Sequence, residues 1–174
     1  AVRRQRQMCI RDRSMYVNSD LFNTFTRSHD DVSMSLRITH LGTGSRGNST
    51  LLETDDVKVL IDQGFSGAQL QKRLGLLNIA PDEIDCVLLS HHHGDHGGGA
   101  TIAQKKWSTK ILANERTAME LGLDPMLTSY FGHLDLIRIG DELTVLPVPV
   151  PHAGSDNVAL WPVIEEKERQ LSLI

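Results

Sequence analysis

Residues 88–99 read LLSHHHGDHGGG, which places four of the chain's eight histidines within six positions around Asp95. That spacing constrains the backbone before anything else does. On an α-helix His91 and His93 would point about 200° apart and could not share one ion, whereas in an extended segment residues i and i+2 face the same side. The cluster therefore belongs at a strand end or in a loop, and the apolar run DCVLLS before it reads as the buried strand that delivers it. Asp95 and His96 follow as the chain turns, with Gly94, Gly97, Gly98 and Gly99 letting the backbone close around an ion. Three imidazoles and a carboxylate are ligand types that suit zinc and similar divalent ions, and two adjacent pairs could serve two ions. His92 falls between the two extended ligands and is expected to point away. The alternative, a polar loop or a chance histidine tract, accounts for neither the register nor the glycines.

Upstream, LRITHLG reads as a strand, GTGSRGN as a glycine-rich turn, and STLLETDD followed by VKVLIDQG as a hairpin turning at Asp55 and Asp56. In SGAQLQKRLGLLNI, Leu70, Leu74 and Leu77 recur at helical spacing behind Ser66, a residue suited to cap a helix covering the sheet. Beyond the cluster come a helix in GGATIAQKKW, a strand in TKILANE, a helix in RTAMELGL, and strands in HLDLIRIG and ELTVLPVPV. Pro147, Pro149 and Pro151 exclude a helix and suit an edge strand or its exit. Strands alternating with helices after an opening hairpin predict an α/β fold, a mixed sheet with helices on at least one face.

Composition narrows the function classes. Residues 1–13 hold five arginines and one aspartate, so with a net charge of −4 the rest of the chain carries −8 and does not advertise a nucleic-acid-binding surface. No run approaches the roughly 18 apolar residues of a membrane span, and no secretory signal is visible, so the expected location is the cytoplasm without a membrane partner. Two cysteines, Cys9 and Cys86, offer no disulfide framework, and Cys86 sits in an apolar run as a small buried thiol would.

The two ends break the pattern. AVRRQRQMCIRDRS and ERQLSLI show neither apolar periodicity nor a finished element, and both resemble translated transposon-adapter sequence from a sequencing library. Residues 1–33 are therefore expected to be a non-native or disordered extension, a basic arm being the alternative, and 166–174 a non-native tail. On that reading 34–165 form a partial domain opening at Met34.

VLLSHHHGDHGGG resembles the H-x-H-x-D-H signature of the metallo-β-lactamase-fold hydrolases, over most of residues 36–160. VLIDQG is similar to that family's strand ending in aspartate and glycine, and His152 in VPVPHAG to its isolated histidine after a strand. GTGSRGNST resembles the G-S-x-G-N-S turn of a phosphodiesterase and exonuclease-like subgroup. The resemblance implies an αββα sandwich, here the first αβ half and the beginning of the second. It implies two divalent metal ions, zinc first with manganese or iron as alternatives. His91, His93 and His152 would hold one, Asp95 and His96 the other, and Asp62 would orient the histidine loop from behind. The family's bridging aspartate and final histidine have no counterpart after His152. The lone His29, His40 and His133 have no such context and read as structural or surface residues.

The activity so implied is hydrolysis by a metal-activated water, with Asp95 also orienting that water. A phosphodiester, small or in a nucleic acid, is the expected substrate, because two metals suit in-line displacement and the turn offers a phosphate its backbone N–H groups and Arg46, with Ser45 and Asn48 as further candidate contacts; an ordinary strand connector is the other reading of that turn. Thioester or other acyl hydrolysis on the same site, an iron-pair redox centre, and an inactive metal-binding fragment are the rival readings.

Overall fold

In a computed structural model the described residues are 6–8, 24–25, 36–55, 57–140, 143–151 and 156–164. Most of the expected extension at 1–33, the tail at 166–174, Cys9, His29, Asp56 and His152 lie outside them.

One sheet has seven strands in the order β2 (Thr24–Phe25), β3 (Arg37–Gly42), β4 (Ser49–Glu53), β5 (Lys58–Ile61), β6 (Cys86–Leu88), β7 (Lys110–Ala113) and β8 (Thr128–Tyr130). Its first four strands pair antiparallel, and β5 to β8 run parallel. A second sheet has four strands in the order β1 (Arg6–Met8), β9 (Ile137–Ile139), β10 (Leu143–Pro149) and β11 (Val158–Ile164).

The apolar runs have no clean alternation because both faces of the larger sheet are covered. Leu51, Leu60, Val87, Leu89 and Ile111 pack on one side with Leu70 and Leu74 of helix α1 (Gly67–Gly75). Leu52, Val59, Cys86, Leu88 and Leu112 face the other way, against Ile137, Ile139, Leu143, Val145 and Val158 of the second sheet. Successive residues thus serve opposite cores, and the layers run helix, sheet, sheet. This is the mixed α/β architecture expected from the sequence.

The helices start and stop where their side chains dictate. Ser66 Oγ accepts the Gln69 N–H at the head of α1, and Leu77 packs against the same core just past its end. After α2 (Gly94–Gly97) and α3 (Ala100–Trp107), α4 (Glu115–Leu121) is capped by Asn114, whose Oδ1 accepts the Thr117 N–H at 2.7 Å.

Three details differ from the sequence reading. Strand β9 is confined to Ile137–Ile139, because the chain turns at His133 and Leu134, with Leu134 at φ 61° and its N–H on the Pro147 carbonyl. Strand β10 lies between β9 and β11 and is not an edge; β9 pairs only with Leu143, Thr144 and Val145, so Pro147 and Pro149 fall where β11 alone is the neighbour. That one-sided pairing is why two prolines fit there. Strands β1, β2, β8 and β11 have no counterpart in the sequence reading, β1 and β2 falling within the expected extension at 1–33. Among the described residues no helix is long and apolar enough to cross a membrane.

Candidate metal centre

The parallel strands β5, β6 and β7 deliver Asp62, Ser90 with the histidine loop, and Asn114 beyond their carboxyl ends, the side on which open α/β sheets place ligands. Residues 91–93 belong to no helix or strand, His93 sits at φ −59° and ψ 145°, and the chain coils into α2 only at Gly94, with the His96 and Gly97 N–H groups both on the His93 carbonyl. The loop therefore has the extended-then-turned form that the histidine spacing demands. The His91 ring centroid lies 4.7 Å from that of His93 and 4.2 Å from that of His96. Asp95 Oδ2 is 3.7 Å from His96 Nε2. His92 is half-buried beside His93, at 5.2 Å between rings.

Asp62 stands behind this loop, 6% exposed, in the left-handed region at φ 63°. Its Oδ1 accepts the Ser90 N–H at 2.8 Å, and Ser90 Oγ donates to the same carboxylate at 2.9 Å. Its Oδ2 accepts from His96 Nδ1 at 2.7 Å. An ionised carboxylate only accepts, so the His96 proton sits on Nδ1 and the basic lone pair on Nε2. Ser90 has its single proton on Asp62, so at 2.9 Å it accepts from His91 Nδ1, which puts the His91 lone pair on Nε2 as well. One carboxylate thus sets the tautomer of two rings, directly and through a hydroxyl. The Asp62 hydrogen bond raises the His96 pKa above its usual 6.5, against the effect of burial and with help from the charges of Asp62 and Asp95.

The glycine turn braces the loop from the other side. Asn48 N–H donates to the Asp95 carbonyl at 2.7 Å, Gln63 N–H to that of His96 at 2.6 Å, and Gly99 N–H to that of Gln63 at 2.8 Å. A Cβ on Gly64 would lie 1.9 Å from the Asp95 carbonyl oxygen, so only glycine allows this approach. Ser45 and Arg46 are exposed at the tip of the turn, whereas the Asn48 amide is committed to Gly44, Asp95 and His96.

The segments on either side of 152–155 are pinned near the loop. Val158 N–H donates to the Ser90 carbonyl at 3.2 Å, and Asn114 Nδ2 donates to the Asp156 carbonyl. The structural roles of Ser90 and Asn114 went unread in the sequence. Ser90 directly precedes the first ligand-type histidine, and Asn114 ends a strand just before a helix, so each carried a local signal.

Among the described residues no three His, Cys, Asp or Glu side chains converge as a finished ion cage. The donor chemistry nevertheless fits a divalent ion: the His91 and His96 imidazoles have Nδ1 engaged by oxygens and Nε2 basic, and Asp95 Oδ2 lies 3.7 Å from His96 Nε2.

A sequence model of the metallo-beta-lactamase superfamily matches residues 42–165, and the chain belongs to that superfamily. Its fold implies a divalent metal, usually zinc. The chain is 40% identical over 129 residues to exodeoxyribonuclease WalJ of Streptococcus pneumoniae, covering 70% of this chain and 46% of the relative. It is 28% identical over 148 residues to exodeoxyribonuclease YycJ of Bacillus anthracis, covering 81% of this chain and 54% of that one. The chain thus spans about half the length of these curated relatives. Among solved structures, the subclass B3 metallo-beta-lactamase MEM-A1 from a soil metagenome library superposes with a TM-score of 0.62 at 20% identity, over 75% of this chain and 56% of its own. At that identity the likeness concerns the fold.

Proposed function

We propose that this chain carries the metal-binding half of a hydrolase that cleaves phosphodiesters in nucleic acid. The observation that carries the reading is the Asp62 carboxylate ordering His96 directly and His91 through Ser90, an arrangement with a purpose if both Nε2 atoms face an ion. His91 and His93, with His152, are the proposed ligands of one ion, and Asp95 and His96 of a second. Divalent ions held there would acidify a bound water and offset the negative charge that grows on the substrate oxygens. Asp95 orients that water, while Asp62 and Ser90 keep the rings from turning. The exposed Ser45 and Arg46 are placed to meet a substrate phosphate, with Asn48 holding the turn beneath them. Similarity to two exodeoxyribonucleases supports a nucleic-acid substrate over a small phosphodiester, against the expectation from the acidic charge of residues 14–174.

The test is turnover of a labelled single-stranded DNA, a bis-aryl phosphodiester and an acyl thioester, each with added zinc or manganese. Metal-dependent loss of DNA ends, abolished by chelator, is expected. Cleavage of the thioester alone would overturn the substrate class, and stoichiometric metal without turnover would favour a binding fragment.

A further inference from the structure

Four acceptors surround one side-chain NH2 group. Asn48 Nδ2 lies 3.0 Å from the Asp95 carbonyl, 3.1 Å from Asp95 Oδ2, 3.2 Å from His96 Nε2 and 3.2 Å from the Gly44 carbonyl. Its Oδ1 accepts the Gly44 N–H at 2.8 Å, which fixes which end of the amide faces the loop. We infer that Asn48 is a positioning residue that holds the Asp95 carboxylate in place for an ion shared with His96, whose ring Asp62 already fixes. This deepens the metal-centre reading proposed above and rests on it.

The geometry separates two duties within one side chain. The oxygen closes the glycine turn on itself, and the NH2 group reaches across 47 residues of sequence to the ligand loop. An amide nitrogen has two hydrogens and here faces four acceptors, so His96 Nε2 can be surrendered to an ion without stranding a donor. The remaining bonds to Asp95 survive that exchange. Asp95 Oδ2 then keeps one partner that fixes its rotamer, and its other lone pairs would be left for an ion. The backbone adds rigidity, because Asn48 N–H also donates to the Asp95 carbonyl and its carbonyl accepts the Gly64 N–H at 3.0 Å. A side chain so anchored at both ends presents its donor from a fixed point.

Two substitutions divide the duties. Asn48→Asp keeps an oxygen for the Gly44 N–H but removes the donor and sets a second carboxylate against Asp95; Asn48→Ala removes both. The probe is cobalt(II), titrated into the metal-free chain and followed by its visible absorption, with melting of the metal-free protein measured alongside. In both variants cobalt affinity is expected to fall about ten-fold or more and the absorption envelope to change. The metal-free melting point of Asn48→Asp is expected to stay within about 3 °C of the parent. If Asn48→Ala fails to fold, Asn48→Asp decides the question. Cobalt affinity and spectrum within two-fold of the parent, tighter binding, or a loss that only tracks a collapsed metal-free melting transition would each overturn the assignment. A parent chain that takes up no cobalt would overturn the metal centre itself, a failure distinct from that of the Asn48 variants.

Discussion

Asp62 Oδ2 and His96 Nδ1 meet at 2.7 Å although 34 residues separate them, and the same carboxylate reaches His91 through the Ser90 hydroxyl. Cutting the two branches has graded consequences. Asp62→Ala releases both rings and is expected to weaken zinc binding by about 10–100-fold, while Ser90→Ala frees only His91 and has the smaller effect. Zinc competition with a chromophoric chelator measures both, and equal losses would contradict the branched arrangement.

Gly64 sets a steric limit on the same site. Its missing Cβ would lie 1.9 Å from the Asp95 carbonyl oxygen and 2.9 Å from Asn48 N, both backbone atoms that cannot rotate aside. Gly64→Ala must therefore push the ligand loop away from the turn. A loss of about 1–3 kcal/mol in urea unfolding, together with weaker zinc binding, is the expected result.

What was legible in the sequence follows from which interactions are local. The histidine loop could be read because i and i+2 geometry is a property of three consecutive residues, and strands β4 to β7 because burial on both faces leaves unbroken apolar runs. Asn48 was visible only as part of a glycine turn, since its partners Asp95 and His96 come from another loop. Likewise Pro147 and Pro149 suggested an edge, yet the freedom they need comes from the short reach of β9, which no nearby residue announces. Strand β8 has three residues, none of its side chains buried, and so carries no periodic signal.

Cys86 is fully buried in the core between the sheets, and burial pushes its thiol pKa far up. The thiolate is the reactive form, so the folded protein should leave Cys86 unmodified by iodoacetamide at pH 8. Peptide mass mapping distinguishes it from Cys9. Labelling of Cys86 is expected only when denaturant is added, and rapid labelling of the native chain would argue against the packing described.

Glu53 tests the electrostatics at the far end of the hairpin. It pairs in register with Arg37 on β3 and Lys58 on β5, and its carboxylate is 3.8 Å from Arg37 Nη1. Burial nevertheless outweighs both cations and raises its pKa above the usual 4.5. A carboxyl whose folded pKa exceeds its unfolded one binds its proton more tightly when folded. Its contribution is therefore fully present below pH 4.5 and is lost as the pH rises through the higher folded value. Glu53→Gln removes that titration. Relative to the variant, the parent should lose unfolding free energy as the pH rises above 4.5 and through the folded value, measured in parallel denaturant series. A difference that stays flat across that interval, or that grows in the parent's favour as the pH rises, would mean that Arg37 and Lys58 dominate the burial of Glu53.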